Sequence, residues 1–241
     1  MRELTRREIN QLKTQLNSLN FKVFDKPYEL NIVGERKDTT ESNKFDDKIF
    51  VFWKDDKEKW SGKEYKATTD PSTYWLKQPM NVDGTAILKA GQYIDAYKTG
   101  LHKGKPALRQ NKPLVVVRDY DRNAILDFNN GKEYTGNFGI NIHRAGKAST
   151  EVGQWSAGCQ VFANESDFLD FLKLVEKDKE LNGDAFTYTL IDERATNRTF
   201  KRILSYNGAL ILGAVAVYVL YRSYNKLPLV PNSVKNLFKS K

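Results

Sequence analysis

The segment FGINIH, residues 138–143, alternates between apolar and polar positions. On one side of an extended chain it places three apolar side chains, those of Phe138, Ile140 and Ile142. Gly139, Asn141 and His143 fall on the other side, because successive side chains of a strand point to opposite faces. This period of two predicts a strand that buries one face, with Asn141 and His143 projecting together from the other.

Further strand signals lie on both sides of this segment. They are apolar, β-branched or alternating runs at Leu30–Val33, Lys48–Lys54, Leu114–Val117 and Phe186–Ile191. Residues typical of turns separate them, at Trp60–Gly62, Asp70–Pro71 and Asp83–Gly84. We therefore predict a mostly β domain with flanking helices over residues 29–193.

Two other segments have helical spacing. In residues 3–19 the apolar side chains recur every three or four positions, at Ile9, Leu12, Leu16 and Leu19. This predicts a helical segment within residues 1–28 that packs on the domain or makes a short coiled-coil contact. After residue 162, Asn164 is a candidate N-cap for a second helix. The expected apolar face of that helix is Phe168, Leu169, Phe171, Leu172 and Val175.

The end of the chain differs from the rest in charge and hydropathy. Residues 194–241 contain nine of the 39 basic residues and no Asp or Glu, so residues 1–193 hold 30 of each sign. Within this basic tail, residues 203–221 (ILSYNGALILGAVAVYVLY) include no charged side chain and are just long enough to span a bilayer. We predict an apolar transmembrane helix at about residues 203–221 that contacts membrane lipid; the alternative is a buried hydrophobic helix.

The same charge distribution bears on the partners. A nucleic-acid-binding domain usually carries its basic patch across the fold, whereas here the excess is confined to the tail, so we expect no nucleic-acid partner. Residues 1–13, MRELTRREINQLK, have no apolar core and no small-residue cleavage site. No secretory signal peptide is therefore expected.

Cys159 is the single cysteine of the chain. One cysteine excludes an intrachain disulfide and a zinc site built from several thiolates. We expect no metal and no cofactor. Such a residue is either a small buried hydrophobe or a reactive thiol, and its neighbours decide between the two.

Residues 143–159 read HRAGKASTEVGQWSAGC and place a histidine upstream of this cysteine. A cysteine attacks as its thiolate and needs a base beside it, for which His143 is the nearest candidate in the sequence. Trp155 is a candidate for the wall of a pocket. Backbone N–H groups around Gly158 and Cys159 could stabilise an oxyanion during acyl transfer.

Four other residues are weaker candidates. His102, in GLHKGK, is either an ordinary loop residue or a second histidine that reaches the same cleft. Asn141 shares the predicted face of His143, and could orient the imidazole or line the pocket. Asp119 and Asp121 resemble a cation-binding loop only faintly, and turn chemistry is the expected role of both.

The residues around the cysteine carry a family resemblance. His143, Gly153, Ser156, Gly158 and Cys159 match a histidine followed, after a glycine-containing loop, by S-x-G-C. In this respect the chain resembles the L,D-transpeptidase (YkuD-like) family. The specific match covers residues 139–162, and a looser one extends over about residues 45–192, where Leu88–Tyr93 (LKAGQY) is similar to the family's T-P-x-G-x-Y segment.

The chain also departs from the family pattern. Ala157 stands where the family usually has the histidine of S-H-G-C, Val161 stands where it usually has an arginine, and Arg144 replaces a small residue. The missing arginine resembles a structural or carboxylate-binding group, so its absence affects which end of a substrate would be recognised.

The resemblance implies a β-sandwich catalytic fold and acyl transfer on peptidoglycan stem peptides. Cys159 would form a thioester and His143 would be the base. Gly158, Ser156, Trp155, Gly153 and Asn141 would bind the oxyanion or the substrate. The acceptor would be a second stem peptide or water. The alternative is a catalytically silent wall-binding or structural module held in a membrane.

A C-terminal membrane helix without a signal peptide raises a question of location, because peptidoglycan crosslinks lie outside the cytoplasm. Three expectations follow from the sequence. The tail directs export of the domain, so that the protein is membrane-anchored and faces the cell wall. Alternatively, the protein arrives from outside as part of a bacteriophage particle that must breach the wall, or its substrate is a cytoplasmic precursor or another protein.

Overall fold

The computed structural model describes residues 1–128 and 131–194. Residues 1–193 form one compact unit. The transmembrane helix predicted at residues 203–221 lies outside the described residues. Among the residues that are described, no helix is both long enough and apolar enough to cross a membrane.

The described part of the chain is mostly β, which confirms the predicted fold class at that level. Its strands are β1 (Arg2–Glu3), β2 (Asn31–Arg36), β3 (Asp47–Lys54), β4 (Trp60–Thr68), β5 (Thr85–Leu88), β6 (Gly91–His102), β7 (Lys105–Gln110), β8 (Leu114–Asp119), β9 (Glu133–Gly136), β10 (Ile142–Arg144), β11 (Gln160–Phe162) and β12 (Phe186–Asp192). Its α-helices are α1 (Arg6–Ser18), α2 (Thr73–Lys77) and α3 (Glu165–Asn182), and a short 3₁₀ helix covers Gly153–Trp155.

Nine of these strands form one sheet in the order β1-β4-β11-β10-β7-β6-β12-β2-β3. Strand β3 also pairs with β4, so the sheet closes on itself. Most neighbours are antiparallel, but β10 runs parallel to β11, and β12 runs parallel to β2. The remaining three strands form a second sheet, in the order β5-β8-β9. The predicted strand Leu114–Val117 lies at the centre of this smaller sheet.

The turn predicted at Trp60–Gly62 is wrong, because these residues begin β4 and pair with the end of β3. The turn precedes them, where the Asp55 carboxylate accepts hydrogen bonds from the amides of Lys57 and Lys59, both at 2.9 Å. Gly62 serves close packing instead, since a Cβ there would lie 2.9 Å from a methyl group of Leu4.

Helix α1 packs on the domain, as the spacing of its apolar residues predicted. It begins with a capping box, in which Thr5 and Glu8 satisfy each other's backbone amides. Its buried face is Ile9, Leu12 and Leu16, which cluster with Val33, Phe50, Phe52 and Ile191 of the large sheet. The helix ends near Asn20, which has a left-handed backbone (φ 58°), so the last third of residues 1–28 is not helical.

Helix α3 buries aromatic side chains against β11. Phe171 stacks on Phe162 with ring centroids 5.0 Å apart. One expectation for this helix is wrong, because Leu169 is 51% exposed rather than part of the buried face. Asn164 occupies the N-cap position, as predicted; its side-chain amide donates to Asp167, and no backbone amide of the helix donates to its side chain.

The strand predicted over residues 138–143 is shorter than expected. Only Ile142–Arg144 pairs as β10, because Gly139 takes a left-handed conformation (φ 72°) that interrupts the extended chain. The amides of Phe138 and Ile140, which a strand would have paired, donate instead to the Gln110 side-chain oxygen at 3.0 and 3.1 Å. The irregular turn at Gly139 brings the Gly139 carbonyl close to the Cys159 sulfur.

Candidate active site

Two adjacent strands hold the predicted nucleophile and base. In the parallel pair β10–β11, His143 lies opposite Val161, and the Gln160 amide donates to the Asn141 carbonyl at 2.9 Å. Cys159 immediately precedes β11, so it lies beside Asn141, two residues before the histidine. The sheet therefore brings together the cysteine and histidine that the sequence separates by a long loop.

A tight turn fixes the backbone of Cys159. Gly158 has φ of 120°, and a Cβ there would lie 2.3 Å from the Ala86 carbonyl oxygen, so only glycine fits. The Ser156 hydroxyl donates to the Cys159 carbonyl at 2.8 Å and accepts from the Gly158 amide at 3.2 Å. Ser156 is completely buried and acts within this turn. The local sequence SAGC thus folds into a turn that positions the thiol.

The Cys159 thiol is buried and close to backbone polar groups. Its sulfur lies 3.4 Å from the Asn141 amide nitrogen and 3.5 Å from the Gly139 carbonyl oxygen. Only 9% of the residue is exposed. Burial raises the pKa of the Cys159 thiol to about 11, because the thiolate is poorly solvated there. At neutral pH the cysteine is therefore a thiol and not a preformed thiolate.

The hydrogen bonds of His143 define its tautomer. Its Nδ1 lies 3.0 Å from the Arg144 carbonyl oxygen, which can only accept, so we assign the ring proton to Nδ1. Nε2 then carries a lone pair. That atom is buried and has no hydrogen-bond partner within the described residues. Burial lowers the pKa of the His143 imidazole to about 4, so the ring is neutral at pH 7 and able to accept a proton.

His102, a weak candidate from the sequence, lies against His143. The two imidazoles stack with centroids 4.5 Å apart and planes inclined by 26°. They are the only two histidines of the chain. The structure therefore brings both histidines and the single cysteine into one region, between the end of β6 and the β10–β11 pair.

Asn141 fixes the tautomer of His102. Its side-chain oxygen accepts from the Gln110 amide at 2.9 Å, so its NH₂ group faces His102 Nδ1, 3.1 Å away. Nδ1 must then accept, and the proton lies on Nε2 of His102. Burial also lowers the pKa of His102, which favours this neutral form. The pair thus offers one lone pair, on His143, and one N–H donor, on His102.

A cavity of about 200 Å³ adjoins the two histidines. Its wall is formed by His102, Lys103, Lys105, Pro106, His143, Arg144 and Trp155. Trp155, 45% exposed, thus lies in the wall where the sequence suggested a pocket. Gly153 is not part of this wall; it begins the 3₁₀ helix, and its amide donates to the Asn43 side chain at 2.7 Å.

Asp119 and Asp121 each accept a backbone amide of the β8–β9 connection. Asp119 is the last residue of β8 and accepts from the Asp127 amide at 3.0 Å, and Asp121 lies in the connection and accepts from the Asn123 amide at 3.1 Å. Within residues 1–128 and 131–194, no three His, Cys, Asp or Glu side chains are grouped as ligands for a metal ion.

A buried arginine that the sequence did not single out is connected by hydrogen bonds to the backbone of the candidate site. Arg36 is 1% exposed, pairs with Asp70 at 2.6 Å and donates to the Thr69 carbonyl at 2.8 Å. The same carbonyl accepts from the side chain of Gln160, the residue after Cys159, at 3.4 Å. Tyr188 donates to the other end of that amide at 2.7 Å. Arg36 is thus linked through Thr69 and Gln160 to the backbone that carries the thiol.

The raised pKa of Cys159 predicts how its alkylation depends on pH. Because the thiolate reacts, the second-order rate constant with iodoacetamide should rise about tenfold per pH unit between pH 7 and 10. At pH 7 it should be roughly a hundredfold below that of a cysteine in an unfolded peptide, whose pKa is about 8.5. Mass spectrometry of the intact protein, in samples quenched at set times, measures both the rate constant at pH 7 and its dependence on pH. A rate that is already constant below pH 7 would show a preformed thiolate and contradict this prediction.

No family model, curated protein sequence or solved structure matches this chain.

Proposed function

We propose that the protein is a cysteine acyltransferase that cleaves an amide bond in peptidoglycan stem peptides, with Cys159 as nucleophile and His143 as base. The observation that carries the chemistry is the buried, unpartnered Nε2 lone pair of a neutral histidine, on the strand beside Cys159. The substrate class and the L,D-transpeptidase-like β-sandwich rest on the resemblance of His143 and the S-A-G-C turn to that family.

The first half of the reaction forms a thioester. As the Cys159 sulfur attacks the amide carbonyl, its proton passes to Nε2 of His143, so the nucleophile is generated only during attack. The C–N bond then breaks, and the imidazolium returns the proton to the leaving amine. This order suits a resting pair in which thiol and imidazole are both neutral.

The second half transfers the acyl group. His143 takes a proton from the acceptor, which is the amine of a second stem peptide or a water molecule, as the acceptor attacks the thioester carbonyl. The C–S bond then breaks, and the imidazolium returns that proton to the leaving Cys159 thiolate, so both groups are neutral again. The first acceptor gives a crosslink, and the second gives carboxypeptidase or endopeptidase cleavage. The backbone amide of Cys159 has no acceptor among the described residues, so it is available to the oxyanion that forms in each half.

One observation favours a second candidate, a catalytically silent wall-binding or structural module of a membrane or a phage particle. The thiol contacts the Gly139 carbonyl and the Asn141 amide, and no hydrogen bond joins it to His143 within the described residues. Attack requires the sulfur to leave these contacts. A protein in which the thiol stays there would bind stem peptides without cleaving them.

Incubation of the full-length protein with purified muropeptides, analysed by mass spectrometry, distinguishes the two. New crosslinked or trimmed stem peptides, together with an acyl adduct on Cys159, support the enzyme. Cys159→Ala is the control and should give neither. Binding of muropeptides without product in the wild type, equal to binding by Cys159→Ala, supports the silent module and contradicts our proposal.

The stacked pair gives a prediction about His102 and Asn141. If Asn141 acts by holding His102 with its proton on Nε2, His102→Leu and Asn141→Leu should each lower kcat by about tenfold to a hundredfold. The double variant should lose little more than either single one, because both remove the same N–H donor. KM and the pH profile, measured beside kcat, separate this role from general destabilisation. Multiplicative losses in the double variant would mean that the two residues act independently.

The charge and hydropathy of the tail support a proposal about location. We propose that the apolar segment at residues 203–221 anchors the protein in a membrane, with the domain facing the cell wall or carried within a phage particle. Protease digestion of intact spheroplasts reports the side on which the domain lies.

A further inference from the structure

We infer that the cavity beside His143 binds a carboxylate group of the substrate, with Lys103 and Lys105 as its cationic partners. The inference rests on the proposed function for the position of the reacting bond. It adds that the substrate carries a carboxylate close to the cleaved bond, and that Lys103 and Lys105 bind this carboxylate.

The charges around the cavity all have one sign. Three of its wall residues are cationic, Lys103, Lys105 and Arg144, and no carboxylate lines it. Arg144 is already neutralised, because its guanidinium forms a salt bridge with Glu165. Lys103 and Lys105 form no ion pair and no side-chain hydrogen bond with any described residue. Two uncompensated positive charges therefore border a small concave space.

The backbone holds both lysines at this place. Lys103 lies in the two-residue turn of the β6–β7 hairpin and Lys105 directly follows it, in the last pair of the hairpin with His102. Lys103 has a left-handed backbone (φ 49°) and Gly104 follows with φ of 75°, which gives the tight reversal of the chain. Because His102 stacks on His143, the backbone of the two lysines lies next to the two histidines.

The neutral wall residues complete a site for a small organic anion. His102, which carries an N–H donor, and the exposed Trp155 lie in the same wall as the lysines. A volume of about 200 Å³ suits a single residue and not a whole peptide. Positive charge also repels the protonated form of His143, so an anion that binds here relieves an existing repulsion.

The substrate carboxylate has two possible sources, the terminal carboxylate of a stem peptide or an acidic side chain next to the cleaved bond. Isothermal titration of full-length Cys159→Ala with three peptides distinguishes them: a tetrapeptide stem with both carboxylates free, one amidated at its terminus, and one amidated at its side chain. We expect loss of the recognised carboxylate to weaken binding by about tenfold, and by less at high salt.

Lys103→Gln with Lys105→Gln, in the same Cys159→Ala background, should remove this difference between the peptides. Lys98→Gln is the matched control, because Lys98 is an exposed lysine of the same hairpin outside the cavity wall. It should retain the tenfold preference. All three lysines are exposed, so these variants should melt at the temperature of the parent.

A second measurement does not depend on stem peptides. At pH 9, the ratio of Cys159 alkylation by iodoacetate to that by iodoacetamide should fall at least about threefold in the double lysine variant, because only iodoacetate is an anion. A ratio that responds to the lysines, with no peptide binding, would keep the anion site and overturn the stem-peptide substrate. Absence of discrimination in both measurements would overturn the inference.

Discussion

His143→Gln should lower kcat/KM for stem peptides by about a thousandfold or more at pH 7, because general-base catalysis contributes roughly 10²–10⁴-fold. The structure places this loss near the upper end of that range. The pKa of the Cys159 thiol is raised to about 11 by burial. Without a base, only about one molecule in 10⁴ then carries a thiolate at pH 7.

The same reasoning predicts that alkali partly restores the variant. Its kcat/KM should rise about tenfold per pH unit from pH 7 to 10, as the thiolate forms without assistance. The wild type should instead be nearly constant over this range. It should lose activity only as pH falls through about 4, where the pKa of His143 lies and the base becomes protonated. A variant whose activity stays flat between pH 7 and 10 would contradict the assignment of His143 as base.

Glutamine is a suitable replacement because it is polar and shorter than the ring, so it fits the buried site. The folding of the His143→Gln variant should be checked by circular dichroism before its kinetics are interpreted. His102→Leu is the comparison, since it alters the neighbouring ring without removing the lone pair on His143. That variant should show a smaller loss and no recovery in alkali.

Arg36→Met should destabilise the domain by about 3–5 kcal/mol, the usual cost of removing one partner from a buried ion pair. Arg36 is 1% exposed, and its partner Asp70 is also buried. A second buried carboxylate, Asp47, lies nearby; burial and the charge of Asp70 raise its pKa. Methionine has a similar length but no charge, so the carboxylates lose their cation. Urea denaturation followed by tryptophan fluorescence measures the free energy of unfolding.

The loss caused by Arg36→Met should grow with pH. In the variant the folded-state pKa of Asp47, which burial already raises, rises further above its unfolded value because the charge of Arg36 is lost. The protonated form of Asp47 stabilises the fold at low pH, and this stability is lost as pH rises through the folded pKa. The destabilisation should therefore be smaller at pH 5 than at pH 8. Lys112→Met is the control, because it removes an exposed ion pair with Asp95 and should cost less than about 1 kcal/mol at either pH. Equal effects of the two variants would show that Arg36 has no special structural role.

Much of the strand content could be predicted because its signals are local. Lys48–Lys54 and Phe186–Ile191 became β3 and β12 nearly residue for residue, since short apolar, aromatic and β-branched runs are typical of strands. Alternation does not predict their burial, because nearly every side chain of both strands is buried on either face. The error at Gly62 has the opposite origin. A glycine was interpreted as a turn, but tertiary packing against Leu4 requires it inside a strand. Such a contact joins distant segments and leaves no local pattern.

The site divides in the same way. The turn at Gly158 and the placement of His143 on a strand follow from residues close in sequence. The position of His102 does not, because it depends on how β6, β7 and β10 pair, which includes the single register Leu108 with Ile142. Arg36 was likewise invisible, since an arginine is usually exposed, and only the closed sheet shows that this one is buried. Lys103 and Lys105 have no distinguishing sequence pattern, and only the folded structure places them in the wall of the cavity.

Because β10 pairs in parallel with β11, the distance between His143 and Cys159 does not depend on how many residues connect the two strands. Backbone hydrogen bonds across the sheet set where His143 and Cys159 lie, whatever path the connection takes. Insertions or deletions ahead of the Gly158 turn can therefore accumulate without moving His143 away from Cys159. Because Trp155 belongs to that connection and also to the cavity wall, such changes would alter the acyl-group specificity of the proposed enzyme. Under the proposed function, the fold thus allows specificity to evolve independently of Cys159 and His143.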